Sequence, residues 1–386
     1  KAKGIRLWSL EAPHMRSFHL SWLGFFIAFT GWFAYAPLLK KTVGPNLGMT
    51  ASDIANSDTA NVSSTVIFRV ITGILVDKLG ASKVMGIILI LGSIPLGLSA
   101  LSTTATGIIV SRAFIGMLGS TFVPCQYWTT AFFSSNVVGT ANAIAGGWGN
   151  MGGGFTNLVM PRVYNLFHFT FGLPIGTSWR AAICIPVAFL WIVAALVLYF
   201  GVDKPGSEFK LADTTHVDQV EQVTWKTAFK TKRSLALFTF NVALLMFNYA
   251  CCFGVELSID GALASYYVTQ FQMDQNTSSL LGGLFGMINL FSRASGGLMS
   301  DYMSSKMGMR GRLYWQCFLF IISAATIMAF SQTYHLGGSI ALLILFSFTV
   351  QAGCGSTYGI VPFVGPLMGL QSGLVGAGGS IGGALF

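Results

Sequence analysis

Eleven apolar stretches, most of them close to 20 residues long, run through this chain and are separated by polar connections. An α-helix of about 20 residues is about 30 Å long, which matches the hydrocarbon core of a bilayer. Only 9% of the 386 residues are charged, whereas a soluble domain carries about 25%. The chain is therefore predicted to be an all-α membrane protein, with spans at about 18–39, 61–77, 83–103, 105–127, 138–161, 180–201, 234–258, 276–300, 313–332, 336–364 and 369–386.

The longest polar segment lies between the sixth and seventh spans. Residues 203–233 hold 11 of the 35 charged residues, which predicts a solvated linker between an N-terminal bundle at 1–202 and a C-terminal bundle at 234–386. Transporters built from two six-helix halves imply a twelfth helix that the given chain does not contain.

Basic residues are distributed unevenly between the two sides of the predicted membrane. Of the Lys and Arg residues, 15 fall on the side of the N-terminus and the linker, and 4 fall on the other side. Because the positive side of a membrane protein faces the cytoplasm, we expect a cytoplasmic N-terminus. The net charge of +9 is explained by this asymmetry, and we expect no nucleic-acid partner.

Three pairs of segments recur in the same order in both halves. The pattern Arg-x3-Gly-x3-Asp begins at Arg69 and again at Arg293, 224 residues later, and reaches Asp77 and Asp301. "GSTFVP" at 119–124 pairs with "GSTYGIVP" at 355–362, and "GNMGG" at 149–153 pairs with "GSIGG" at 379–383. The repetition predicts two pseudo-symmetric six-helix bundles.

Two arginines are predicted near the middle of the membrane. Arg69 precedes Asp77 by eight residues, which corresponds to about 12 Å of helix. Arg293 is expected at the same depth, because it has the same place in the second copy of the repeat. An intramembrane arginine costs about 2.5–3.5 kcal/mol and commonly marks a functional site. Neither helix supplies a nearby acid, so we expect two unpaired cations that face one cavity and bind a flat oxyanion.

The acids considered for proton binding are Glu256 and Asp260, which the predicted spans put toward the outer end of the seventh helix. Glu256 is the better-placed candidate for proton coupling. The alternative is that Glu256 only caps or solvates the end of its helix.

The stretch "GGWGNMGGG" at 146–154 supplies small residues at helical spacing. Gly146, Asn150 and Gly153 share a helix face, and small faces let membrane helices approach closely. Gly149 with Gly153, and the pair Gly379 and Gly383, are therefore predicted to serve packing and gating, with a purely structural packing motif as the alternative.

The duplication, the linker and "GILVDKLGASK" at 73–83 resemble the major facilitator superfamily. In that family, an acidic residue and the basic residues after it latch the cytoplasmic side. The resemblance implies a major facilitator fold and a latch made of Asp77, Lys83, Asp301 and Arg310.

"AGGWGNMGGG" at 145–154 and "GLVGAGGSIGG" at 373–383 are similar to the two nitrate signatures of the nitrate/nitrite porter family. "CQYW" at 125–128 and "FGMINLFSRASGG" at 285–297 further resemble its plant and algal branch. The resemblance implies substrate-binding roles for Arg69, Arg293, Asn150, Phe122, Tyr249 and Ser380. Ser380 stands where many relatives carry Asn.

The resulting hypothesis is uptake of nitrate, extending to nitrite, through the plasma membrane by proton symport and alternating access, with the anion held between Arg69 and Arg293. Nitrate carries one negative charge, so at least two protons must accompany it if an inside-negative potential is to drive it inward. Nitrate/nitrite exchange, transport of another oxyanion or organic acid, and nitrate reception remain alternatives. Plant members of this branch commonly work with a small single-span accessory protein. The residues contain no nucleophile, metal or phosphate-loop constellation, so we expect no enzyme, cofactor or metal site.

Overall fold

The structure is a computed structural model, and it describes residues 1–203 and 232–386. Within these residues, each predicted apolar stretch corresponds to one helical rod. The rods are α1 His14–Trp32, α2 Ala51–Leu79, α3 Ala81–Ser99, α4 Ala105–Phe132, α5 Val138–Asn165, α6 Ile175–Phe200, α7 Lys232–Tyr249 continued by Val255–Phe271, α8 Gln275–Met287 continued by Asn289–Met307, α9 Met309–Ser331, α10 Leu336–Ile360 and α11 Met368–Leu385. Residues 204–231 of the predicted linker lie outside the described part, and the domain boundaries stay a prediction.

Eight of the helices in the described residues are long and apolar enough to cross a membrane. The rods α5, α8 and α11 fall outside this group and carry the glycine-rich segments and Arg293. The predicted binding residues are thus divided between the two groups of rods, with Asn150, Arg293 and Ser380 on α5, α8 and α11 and the other three on α2, α4 and α7. We call the end of the bundle where α6 finishes and α7 begins the linker end, and the other end the distal end.

Two rods extend furthest beyond the apolar stretches that predicted them. The rod α2 starts at Ala51 rather than near residue 61, because Thr50 and Asp53 form a capping box that supports a polar first turn. The rod α7 continues to Phe271, past a π-helical turn at Ala250–Gly254. The prediction that Glu256 lies toward the outer end of its helix was therefore wrong, since hydropathy alone underestimated how far α7 extends.

Equivalent glycines make the tight turns that follow α2 and α8. Gly80 has φ +90° and Gly308 has φ +61°, a region that residues with a Cβ seldom adopt. Both glycines come directly before the next rod, at matching places in the two copies of the repeat. The backbone thus supports the duplication that the sequence predicts.

The two halves meet along two seams, α2 against α11 and α5 against α8. A Cβ added to Gly73 would lie 2.5 Å from the backbone oxygen of Gly369. On the other seam, a Cβ added to Gly154 would lie 2.8 Å from the backbone carbon of Gly286. Glycine is needed at these places because backbone faces backbone across the seam.

The predicted packing glycines lie on a different face from these seams. An added Cβ at Gly149 would meet the Phe25 ring of α1, and one at Gly153 would meet the ring of Phe33, which directly follows α1. An added Cβ at Gly379 would lie 2.6 Å from the Tyr249 ring of α7. The remaining two behave similarly: Gly146 faces Gln126 and Gly383 faces Leu257. Their contacts are within one half, because neighbouring residues on a helix point about 100° apart.

The α5–α8 seam predicts an effect on stability. Gly154→Ala must separate two backbones, and overpacking of this kind costs about 1–3 kcal/mol. We expect the variant to lower the thermal unfolding midpoint of the purified protein by several degrees. Gly282→Ala is the matched control, since nothing lies within 4 Å of a Cβ added there, and it should leave the midpoint unchanged. Equal unfolding midpoints for both variants would contradict the close backbone contact of Gly154 with Gly286.

Candidate functional site

Carboxylates at the linker end join the halves in a reciprocal arrangement. Asp77 of α2 accepts hydrogen bonds from the backbone N–H groups of Gly369 and Leu370, which open α11. Asp301 of α8 accepts from the N–H groups of Gly139 and Thr140, which open α5. Each carboxylate thus lies at the positive N-terminus of a helix in the other half.

The two basic residues predicted for this latch, Lys83 and Arg310, do not form ion pairs with its carboxylates in the described residues. Arg312, which the sequence did not single out, is buried and forms an ion pair of 2.7 Å with Asp301. Arg310 and Lys83 have exposed side chains. The basic residue of this part of the latch is therefore Arg312 rather than the predicted Arg310, because two residues along α9 change the face from solvent to the interior.

Arg69 is fully buried in the middle of the bundle. Its Nε donates to the backbone oxygen of Gly119 at 3.2 Å, and its Nη1 donates to the backbone oxygen of Gly376 in α11. The acceptor Gly119 lies in a 3₁₀ turn of α4. In the described residues, Arg69 belongs to none of the ion pairs and its Nη2 lacks a hydrogen-bond partner. The side chain therefore keeps an uncompensated positive charge and a free donor.

Arg293 has an acidic partner, which contradicts the expectation of two unpaired cations. Its Nη2 forms an ion pair of 2.7 Å with Glu256, and its Nε donates to Asn289 at 2.6 Å. The amide of Asn289 in turn donates to Glu256 at 2.9 Å, and the Cys354 thiol donates to the same carboxylate at 3.4 Å. The expectation considered only acids on the helix of each arginine, whereas Glu256 comes from α7 and meets Arg293 of α8 through tertiary packing.

Aromatic rings connect the two arginines. Both guanidinium carbons lie against the ring of Phe253, at 5.1 Å for Arg69 and 5.5 Å for Arg293. The predicted pair Phe122 and Tyr249 is parallel within 9°, with ring centres 6.0 Å apart. The tyrosine hydroxyl also accepts a hydrogen bond of 3.4 Å from Arg293. These rings bring the predicted residues of both halves into one cluster.

The remaining predicted binding residues border this cluster. Asn150 is buried and donates to the backbone oxygen of Gly146 in its own helix at 2.8 Å. Ser380 is buried, and its hydroxyl lacks a partner among the described residues. It lies one helical turn beyond Gly376, the residue that accepts from Arg69.

Sequence reasoning missed Phe253, Asn289 and Tyr358 as members of the cluster. The Tyr358 ring packs edge-on to Phe122 at 4.6 Å. The spacing of Asn289 one turn before Arg293 was a signal that could have identified it. Nothing in the pattern of apolar residues distinguishes Phe253 from other aromatic residues of the bundle.

The centre of the bundle is closed to solvent. Arg69, Arg293, Phe122, Tyr249 and Phe253 are each no more than 2% exposed. Among the described residues, the cluster combines an arginine without an acidic partner, an arginine paired with a carboxylate and parallel aromatic rings. The flat fork of donors on a guanidinium group suits a small planar anion.

Comparisons with known proteins agree with this architecture. Residues 21–386 match the Major Facilitator Superfamily. The fold is similar to that of the human organic anion transporter MFSD10, with a TM-score of 0.65 over 97% of this chain and 92% of that one, at 14% identity. The chain is therefore a member of the Major Facilitator Superfamily.

Curated relatives place the chain within that superfamily. It is 38% identical to "High-affinity nitrate transporter 2.3" of Oryza sativa subsp. japonica, over 100% of this chain and 73% of the relative. It is 34% identical to "Nitrate transporter 2.2" of Chlamydomonas reinhardtii, over 100% and 74%. A "Nitrate/nitrite transporter NrtP" of Picosynechococcus is 26% identical over 97% and 84%. The chain belongs to the family of the plant and algal nitrate transporters.

Proposed function

We propose that this protein takes up nitrate, and also nitrite, by symport with protons through alternating access. The similarity to nitrate transporters and to a nitrate/nitrite transporter supports the substrate. Within the described residues, the main supporting observation is that Arg293 is paired with Glu256, whereas the neighbouring Arg69 has no acidic partner. That asymmetry couples anion binding to the charge of one carboxylate.

Nitrate would lie between Arg69 and Arg293. The free Nη2 of Arg69 supplies one charge-assisted hydrogen bond, and Phe122 and Tyr249 supply parallel faces for a planar ion. Asn150 and Ser380 would complete the binding set once the halves move. A nitrate ion near Arg293 would compete with the carboxylate of Glu256 for the same guanidinium.

Protonation of Glu256 would remove that competition. A neutral carboxyl group no longer forms an ion pair with Arg293, so the guanidinium becomes available to the anion. Nitrate and proton would then bind together, which is the requirement for symport. Glu256 is 5% exposed and would exchange its proton only when one side of the bundle opens.

Alternating access would use the two seams. The contacts of Asp77 and Asp301 would close the linker end, which we propose faces the cytoplasm, and would release when that end opens. The glycine contact between Gly154 and Gly286 lies toward the distal end. Rocking of one half on the other about the buried arginines would then expose the site to each side in turn.

Transport by purified protein in liposomes tests this function. We expect labelled nitrate uptake to accelerate when an inward proton gradient is imposed, and to carry net positive charge inward. Uptake that ignores the proton gradient but requires internal nitrite would instead indicate exchange. The absence of nitrate flux under either condition would contradict a transport function and favour a receptor.

A further inference from the structure

A small cavity of about 20 Å³ lies next to the ion pair of Glu256 and Arg293. Its walls come from α1, α5, α7 and α8, and its polar groups are two amides and two carboxylates: Asn150, Asn289, Glu256 and Asp260. The rest of the lining, within the described residues, is apolar or glycine. A volume of this size holds about one water molecule, and the polar lining offers it partners.

Asp260 lies one helical turn beyond Glu256 on the same face of α7, toward the distal end. Its Oδ1 is buried and has no hydrogen-bond partner in the part of the chain that the structure describes. The residue as a whole is half-buried. An ionised carboxylate with a buried, unpaired oxygen is costly, whereas the protonated form is neutral and can donate to a water molecule.

The groups that face these two carboxylates differ. Glu256 meets Arg293, Asn289 and the Cys354 thiol. Asp260 meets no cation among the residues that line the cavity, and its titratable neighbour there is Glu256 itself. Glu256 therefore has a cationic partner, whereas Asp260 has none among the residues that line the cavity.

Charge arithmetic requires two protons for each nitrate ion if the membrane potential is to drive uptake. One proton would make transport electroneutral, and two would make it carry one positive charge inward, worth about 2.3 kcal/mol per 100 mV. Resting on the proton symport proposed above, we propose that Asp260 is a second proton-binding carboxylate, so that Asp260 and Glu256 together carry the two protons.

The proton steps balance within the cavity. The Asp260 carboxylate accepts a proton from water at the distal end and becomes neutral. A water molecule in the cavity accepts that proton while passing one of its own to Glu256, which leaves Asp260 ionised and Arg293 free of its ion pair. Asp260 then accepts the second proton, and the site moves two protons with one nitrate ion.

Asp260→Asn tests the assignment through the ratio of charge to nitrate. Proteoliposomes that contain the variant are assayed for nitrate-evoked current by electrophysiology and for uptake of labelled nitrate under a pH gradient. We expect the ratio to fall from one charge per nitrate ion to zero, with uptake still driven by the pH gradient. Ser258→Ala is the matched control on α7, because the Ser258 hydroxyl donates to the backbone oxygen of Gly254 in its own rod, and it should keep the ratio of one.

Other outcomes would overturn the assignment. An unchanged ratio in Asp260→Asn, or loss of nitrate/nitrite exchange together with the current, would exclude Asp260 as a proton site. Asp260→Ser also removes the carboxyl group and should likewise give a ratio of zero charges per nitrate ion. Asp260→Glu keeps a carboxyl group and should retain a ratio of one charge per nitrate ion. If the unmodified protein itself transports nitrate without a proton requirement, the symport proposal fails, and this result is distinct from a failure of Asp260 alone.

Discussion

Arg69→Lys and Arg293→Lys are each expected to abolish nitrate uptake while the protein still inserts into the membrane. Lysine keeps the charge but loses the planar fork of donors, and each lost charge-assisted hydrogen bond costs about 1.5–3 kcal/mol, at least a tenfold loss of affinity. Arg69→Lys also removes the bonds to the backbone of α4 and α11. Uptake of labelled nitrate at matched surface levels measures the effect.

Arg162→Lys is the control for this pair. Its side chain is exposed near the distal end and donates to the backbone of its own helix, so uptake should match that of the unmodified protein. Normal uptake by Arg69→Lys or by Arg293→Lys would refute an anion site built from two arginines.

Glu256→Gln is expected to eliminate nitrate-evoked inward current and to preserve nitrate/nitrite exchange. Glutamine resembles the protonated carboxyl in shape, cannot titrate and leaves Arg293 without its ion pair. The variant should therefore bind the anion but carry no more than the one proton assigned to Asp260, which leaves transport without net charge. Current and exchange are measured in the same membranes over a range of external pH.

The exposed Glu11→Gln serves as the control, since Glu11 lies outside the bundle and its variant should retain the current. In the unmodified protein, the current is expected to rise as the external pH falls, because a larger fraction of the proton-binding carboxylates is protonated. Unchanged current in Glu256→Gln at every external pH would eliminate the coupling role. Loss of both current and exchange would assign Glu256 to anion binding or folding instead.

Much of the architecture follows from the chain alone. Apolar stretches of bilayer length predict the eleven rods of the described residues, and the repeat that includes Arg69 and Arg293 predicts their approach to each other. Both arginines contact the ring of Phe253, in agreement with that expectation. Periodicity and duplication are sufficient here because each helix is defined by the pattern of its own neighbouring residues. The repeat then relates each helix of one half to its counterpart in the other half.

The tertiary structure alone decided which groups pair. Glu256 meets Arg293 across 37 residues, and Asp301 selects Arg312 rather than Arg310. The glycines at the seams were distinguished from those that face aromatic rings only by how the rods are rotated. Such choices depend on the rotation and axial shift of one helix against another, which arise from the packing of many side chains and leave no short pattern in the sequence.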